Sequence, residues 1–373
     1  MNILVTGSKG FLGSNLISRL NEEKNINIFH FNRSTKKNLL EKYVKISSVI
    51  FHLAGQNRSN LKKDFSTDNI ELTKKICNLI KINKLKTKVV FASSTQVTNN
   101  SIYGKSKLEA ENCVRECAQK NNSQYFIFRI PNVFGKWCKP NYNSVVATFS
   151  YNIARNKKII LKNEKQQIRL VHIDDLIDQF LDMLKYRTGK KNKKLKFIRI
   201  KKVYKITPDK LSKILYQMKK DHGYFFIKSI NHEFLLKLYS TFLTYFPKNL
   251  FTYPLKKNQD DRGNFSEFLK FQNCGQISYF TINKNKSRGD HYHHKKVEKF
   301  IFLNGTVKIT YVNIINNKKI TFTVSANENK VVETIPGWAH NIENVSNQVV
   351  TGVVWANEIF DSSKPDTYRY VLK

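Results

Sequence analysis

The stretch "NILVTGSKGFLGSNL" (Asn2–Leu16) decides the fold of the first half of this chain. An apolar run, Ile3–Val5, is followed at once by Gly7, Gly10 and Gly13, spaced G-x-x-G-x-x-G, and then by residues that suit a helix. Glycines at this spacing let the backbone turn tightly and come close to a pyrophosphate, and the helix N-terminus faces its negative charge. Gly7, Gly10, Phe11, Leu12 and Gly13 are therefore candidate dinucleotide-binding residues. Further along, "INIFHF", "VIFHLAG", "KVVFASS" and "QYFIFRI" read as buried strands. Amphipathic segments such as Ser66–Ile82 and Tyr103–Lys120 lie between them. This alternation predicts a doubly wound, parallel α/β sheet over residues 1–200. The "FHLAG" run puts Leu53, Ala54 and Gly55 at a strand end on the cofactor side.

A second motif gives this half its chemistry. In "YGKSK", Tyr103 and Lys107 stand four residues apart and share one helical face. An ammonium beside a phenol lowers the phenol's pKa, so the spacing predicts a tyrosine able to exchange protons near neutral pH. "FASST" ends the preceding strand and offers Ser94 and Thr95 as hydroxyl donors. With these residues in order, the first 250 residues resemble an extended short-chain dehydrogenase/reductase of the nucleotide-sugar type. The resemblance implies a catalytic Ser/Thr, Tyr and Lys, matched here by Ser94 (with Thr95 next), Tyr103 and Lys107, the last two also touching the cofactor. It also places Asn132 of "RIPNVFG" and Arg169 of "RLVHIDDL" on the substrate side. Two departures stand out. "FHFNRST" carries no acid for the adenosine ribose. Arg33 and Ser34 stand there instead, which suits a 2′-phosphate and predicts NADPH, unless Arg33 is only a surface charge. Only 17 residues separate Asn32 from Ile50, so the usual adenine-side wall is shortened.

After Thr207, a capping threonine, and Pro208 a helix is expected, with a second near Asn231–Tyr245. Beyond Lys256 the pattern becomes β-rich, with short strands such as "QISYFTI" and "QVVTGVVWANE". This gives two domains, 1–250 and 251–373. In the second, "RGDHYHHKKVEKFIFLNG" (Arg288–Gly305) is spaced G-x-H-x-H-x4-E-x6-G, and "PGWAHNIEN" adds His340. These blocks resemble the two motifs of a cupin, a jelly-roll barrel. The resemblance brings His291, His293, Glu298 and His340 together as ligands for one divalent metal. Three imidazoles and a carboxylate suit Zn, Fe, Mn or Ni, and zinc is expected. A metal-free barrel with hydrogen-bonded histidines is the plainer alternative. His294 is read either as an acid/base beside the metal or as a surface residue. "DDRGNF" resembles the entry of deoxysugar 3,5-epimerase cupins, and Arg262 and Arg288 are candidate pyrophosphate clamps.

The order reductase-then-cupin resembles the CapF type of bifunctional capsule and O-antigen enzymes over essentially the whole chain. That resemblance implies a UDP-4-keto-6-deoxy-N-acetylhexosamine substrate, inverted at carbon 3 by the cupin and reduced at carbon 4 with NADPH. The product would be UDP-2-acetamido-2,6-dideoxy-L-talose. It also implies a homodimer. Two rivals remain. One is a 4-epimerase or dehydratase with a structural cupin, although Ser94-Thr95-Gln96 lacks a dehydratase's Asp–Glu pair. The other is a non-catalytic NADPH- or polyanion-binding protein, which the intact Ser94/Tyr103/Lys107 set argues against.

Composition narrows the setting. Hydrophobic residues at 40% over 373 positions support two packed cores. Five scattered cysteines (77, 113, 117, 138 and 274) without a C-x-x-C pair suit a reducing cytoplasm. The sequence shows no leader pattern and no apolar run long enough to insert in a membrane. The net charge is +37, with eleven Lys or Arg between Lys185 and Lys205. The excess is spread along the chain without a nucleic-acid-binding motif, so it is read as a solvated basic coat, with no nucleic acid partner expected.

Overall fold

A computed structural model describes residues 1–56, 66–121, 123–161, 163–186, 195–222, 226–227, 233–271 and 275–372. Cys274, Asn231 and residues 187–194 of the basic run lie outside the described residues. Contacts divide the chain into two units. One holds Met1–Tyr216 with Phe234–Pro247, and the other Gln217–Glu233 with Lys248–Lys373.

In the first unit, six parallel strands stand in the order β2-β1-β3-β4-β5-β8. They are β1 (Asn2–Thr6), β2 (Asn27–Phe31), β3 (Val49–His52), β4 (Lys88–Ser94), β5 (Gln124–Ile130) and β8 (Leu195–Ile198). Alternate side chains leave a strand on opposite faces, and each face meets a different core. Ile3, Val5, Phe51, Val90 and Phe126 face one core, with Leu16, Leu20, Leu176 and Phe180 of helices α1 (Phe11–Leu20) and α5 (Ile173–Lys185). Leu4, Ile50, Val89, Phe91 and Ile127 face the other, covered by α2 (Leu39–Ile46), α3 (Leu72–Ile82) and α4 (Ile102–Lys120). Both faces are dry, which is why these strands read as unbroken apolar runs.

The chain steps from β1 to β2 on one side, then to β3 on the other. A crevice opens at such a reversal, beyond the strand carboxyl ends. The glycine loop, Leu53–Gly55 and Ser94 all lie at those ends. Among the described residues β2 is the sheet edge, and only α2 lies between β2 and β3, so the short adenine-side wall read from the sequence is present in the fold. Beside this sheet, β6 (Asn132–Phe134), β7 (Ile168–His172) and β9 (Tyr204–Ile206) form a small sheet. The expected helix after Thr207 spans Pro208–His222, and Thr207 Oγ1 accepts from Lys210 N at 3.3 Å.

The second unit is built of two largely antiparallel sheets, the fold of a cupin jelly roll. One carries β12 (Gly263–Phe271), β13 (Gly275–Ile282), β20 (Val350–Ala356) and β15 (Glu298–Phe302) side by side. The other carries β17 (Lys319–Ser325), β16 (Thr306–Asn313), β19 (Trp338–Asn344), β14 (Ser287–Tyr292) and β21 (Tyr368–Arg369). Phe280, Phe300, Phe302, Val307, Ile309, Ile342 and Val354 form a common core. The strict burial alternation of β20 reflects one face on that core and the other turned away.

Candidate active sites

In the first unit the glycines are sterically required. Gly7 has φ +67°, and a Cβ on it would stand 2.8 Å from Ala54 Cα. A Cβ on Gly13 would stand 2.2 Å from Gly7 O. Gly10 caps α1 without a side-chain hydrogen bond, so the first N–H groups of the helix stay available to an anion.

Two cavities meet at this loop, sharing Gly7, Lys9, Gly10 and Gly55. The larger, about 1030 Å³, lies on the β2 side and is lined by Arg33, Ser34 and Ala54. Arg33 Nη2 donates to Gln56 Oε1 at 2.6 Å, and Ser34 Oγ receives a long 3.4 Å contact from Lys9 Nζ. Lys9, Lys37, Lys74 and Lys75 also line it. The sequence reading missed them, since one lysine among so many carries no local signal.

The smaller cavity, about 500 Å³, holds Phe11, Leu12, Gly13, Leu53, Ser94, Thr95, Tyr103, Lys107 and Asn132 together. Arg169 is exposed on β7 and is not among its lining residues. Trp137, Cys138 and Tyr142 line it as well, and none was singled out from the sequence. Trp137 holds φ +67°, rare for a bulky side chain.

Ser94 ends β4 and its Oγ accepts from Gln96 N at 3.1 Å, which fixes the hydroxyl. Tyr103 sits in the first turn of α4, after Ser101 caps it by accepting from Gly104 N at 3.0 Å. The Tyr103 phenol shares this cavity wall with Ser94. Burial raises its pKa, the Ser94 hydroxyl opposes this, and Tyr142 adds to the rise. This corrects the expectation of a Lys107-lowered phenol. The shared helix face is real, but Lys107 runs over the Phe91 ring, 4.7 Å from its centroid, towards Gly55. Its ammonium is buried, and burial lowers its pKa to about 8 against the opposing charge of Glu111.

Asn69, also missed, clamps this wall. Its side chain accepts from Gln56 N at 2.8 Å and donates to Gln56 O at 3.0 Å and Ser106 Oγ at 2.9 Å. Behind it His52 bridges Thr6 and Thr73, kept neutral by burial and the Lys107 charge with a pKa of about 3.

In the second unit one ligand atom from each of His291, His293, Glu298 and His340 lies within 4.8 Å of the others. His293 Nε2 is 3.3 Å and His340 Nε2 is 3.8 Å from Glu298 Oε2. Lys296 Nζ holds the other Glu298 oxygen at 3.1 Å. Burial favours a neutral Glu298 carboxyl, but the His293 hydrogen bond and the Lys296 charge outweigh it, and its pKa falls to about 2. Burial and the nearby His291 lower His340 to about 3. The buried Nδ1 of His340 has no hydrogen-bond partner among the described residues. Three imidazoles and a carboxylate converging on one point are a donor set that fits a divalent metal.

Arg262 and Arg288 line the adjoining cavity of about 230 Å³ with His291, Glu298 and His340. Arg262 is paired with Asp260, and Arg288 Nε donates to Thr281 O at 2.9 Å. His294 is not part of the cluster. The strand β14 ends at Tyr292, and in the bend that follows His293 is buried while exposed His294 packs its ring on Tyr292 and Tyr368. This exposure favours the surface reading of His294 over that of an acid/base beside the metal.

A dinucleotide-type crevice bearing a Ser–Tyr–Lys set and a cupin barrel bearing a cluster of three histidines and a glutamate that could hold a metal define a two-site chain. Residues 3–197 match the NAD dependent epimerase/dehydratase family, and residues 258–368 match the polysaccharide biosynthesis C-terminal domain. The chain is 36% identical over 368 residues to UDP-2-acetamido-2,6-beta-L-arabino-hexul-4-ose reductase of Pseudomonas aeruginosa strain PA103, covering 99% of this chain and 98% of that protein. It matches the crystal structure of the capsular polysaccharide assembling protein CapF from Staphylococcus aureus over 100% of both chains, with 36% identity and a TM-score of 0.91. The UDP-glucuronic acid 4-epimerase of Bacillus cereus in complex with NAD shares the fold alone, at 20% identity and TM-score 0.53, over 59% of this chain and 83% of that one. The chain belongs to the NAD dependent epimerase/dehydratase family and, within it, to the CapF type that joins a reductase unit to a cupin.

Proposed function

We propose that this chain is a bifunctional nucleotide-sugar enzyme acting on a UDP-4-keto-6-deoxy-N-acetylhexosamine. The barrel inverts carbon 3, and the first unit reduces the carbon 4 ketone with NADPH, giving UDP-2-acetamido-2,6-dideoxy-L-talose. The observation that carries the reading is the convergence of Ser94, Tyr103 and Lys107 on the glycine-loop cavity, on a chain whose other unit gathers three histidines and a glutamate. The reductase relative supports the substrate class.

NADPH, when bound along the glycine loop, supplies the hydride. Arg33 and Ser34 are placed to meet its 2′-phosphate, with Lys9 beside them. Ser94 orients the ketone oxygen. Tyr103, kept protonated by burial, gives its proton to the oxygen that becomes an alkoxide. Asn132 lies across the same cavity and is assigned to the sugar nucleotide. In the barrel His291, His293, Glu298 and His340 would hold a divalent metal, with zinc proposed, which would supply positive charge to an enolate. A base takes the acidic carbon 3 proton and a proton returns from the opposite face, and Arg262 and Arg288 border the space for the substrate's pyrophosphate.

Inversion beside a ketone is reversible, and removal of the ketone commits the product. That is the reason for two sites on one chain. No described helix is long and apolar enough to cross a membrane. A cytoplasmic homodimer completes the proposal. The test is to supply the 4-keto UDP-sugar with NADPH and read cofactor consumption and product stereochemistry by NMR. Reduction without inversion at carbon 3 removes the epimerase half. Absence of NADPH consumption removes the reductase half.

A further inference from the structure

The C-terminal segment is stitched to the metal loop by contacts that neither histidine motif contains. The Asp366 carboxylate accepts three consecutive backbone N–H groups, from His294 at 3.0 Å, Lys295 at 2.8 Å and Lys296 at 2.7 Å. These bonds bring its pKa down to about 2 although burial pushes the other way. The Asp366 main-chain oxygen meets His293 Nδ1. A carbonyl can only accept, so Nδ1 carries the proton and Nε2 is the nitrogen turned to Glu298 and the other ligands. One residue on, Thr367 Oγ1 accepts from Lys296 Nζ at 3.2 Å, the same ammonium that occupies Glu298 Oε1. Only Glu298 Oε2 then faces the histidines. Beyond this, Tyr368 and Arg369 pair with Tyr292 and His291, and Tyr370 N donates to Asp290 O at 2.7 Å.

We infer that Asp366 is a positioning residue for the metal cup, and that the docked segment Asp366–Tyr370 sets the His293 tautomer and leaves Glu298 one free oxygen. The inference rests on the reading of His291, His293, Glu298 and His340 as metal ligands. Its physical basis is cooperative. An anion cradled by successive N–H groups fixes the loop backbone, and the carbonyl it carries fixes the imidazole. The loop His294–Lys296 cannot satisfy those three N–H groups internally in this conformation, so without the carboxylate it has reason to rearrange.

The experiment uses the full chain as wild type, Asp366→Ala, Asp366→Asn and Thr367→Val. Zinc affinity is measured by competition with a chromophoric chelator, and the His293 tautomer by nitrogen-15 NMR. NADPH binding, which belongs to the other unit, is the folding control. Asp366→Ala is expected to weaken zinc binding by about 10–100-fold, as loss of an outer-shell partner does. Asp366→Asn, which keeps one acceptor oxygen, should lose less, and both should mix the His293 tautomers. If Asp366→Ala does not fold, Asp366→Asn and Thr367→Val decide. Wild-type zinc affinity and an unmixed His293 tautomer in the folded Asp366 variants would overturn the inference. A wild-type chain that takes up no divalent metal fails the ligand reading first, and the inference with it.

Discussion

The Tyr103 phenol and the Ser94 hydroxyl line one cavity, which brings the first turn of a helix to the carboxyl end of a central strand. Gln96 N fixes the Ser94 hydroxyl at that wall. A buried phenol with a raised pKa holds its proton at neutral pH, the state a reductase needs before hydride arrives.

Tyr103→Phe should therefore lower NADPH oxidation by about 10²–10⁴-fold, the usual worth of a positioned acid. It should leave the barrel able to exchange the carbon 3 hydrogen with solvent deuterium. Loss of deuterium wash-in in the folded variant would move the proton chemistry into the first unit.

The Lys107 pKa of about 8 predicts opposite trends in activity and stability. Activity, followed as kcat/KM for NADPH oxidation, should fall as pH rises through about 8 and the ammonium disappears. For stability the sign is reversed. The folded pKa lies below the ordinary lysine value of 10.5, so between the two the unfolded chain binds more protons and stability rises with pH. Lys107→Met removes this dependence. Its stability advantage over wild type should shrink between pH 7 and pH 9.5 in denaturant titrations, and a widening gap would refute the assignment.

Arg33→Ala should raise the KM for NADPH by about tenfold or more, the worth of one charge-assisted phosphate contact, and change that for NADH little. The neighbouring lysines of the cavity keep the loss from being total. Equal effects on both cofactors would show that Arg33 does not read the 2′-phosphate.

His340→Ala should bring metal content, read by elemental analysis, well below that of wild-type protein. Three of four ligands then remain, and the vacated volume is buried. A variant with full metal content would exclude His340 from the ligand set.

Gly13→Ala should cost about 1–3 kcal/mol of first-unit stability, as overpacking does, because its Cβ would meet Gly7 O at 2.2 Å. NADPH binding should fail along with it. Thermal unfolding with and without NADPH measures both, and an unchanged cofactor-induced shift would contradict the loop's assignment.

The sequence by itself determined the periodic parts of this protein. Apolar runs broken by the Gly7–Gly13 loop can only be strands buried on two faces beside a phosphate-sized turn. Two histidine blocks in a β-rich stretch were legible as motifs, and their resemblance to those of a cupin implied that they meet in a barrel. Even the short adenine-side wall could be counted from the residues between Asn32 and Ile50. Local chemistry is legible because it depends on spacing along one element.

Tertiary structure decided whatever depends on where a long side chain goes or which distant segment packs beside it. Lys107 shares a face with Tyr103, yet its ammonium follows the Phe91 ring, so burial sets the phenol's pKa. His294 stands one residue from His293 of the histidine cluster, yet the bend after the strand leaves it exposed against Tyr368. Asn69 and Asp366 carry no motif, and their importance arises from partners 13 and about 70 residues away. Packing chooses such partners from the whole chain, and no spacing rule along the sequence encodes that choice.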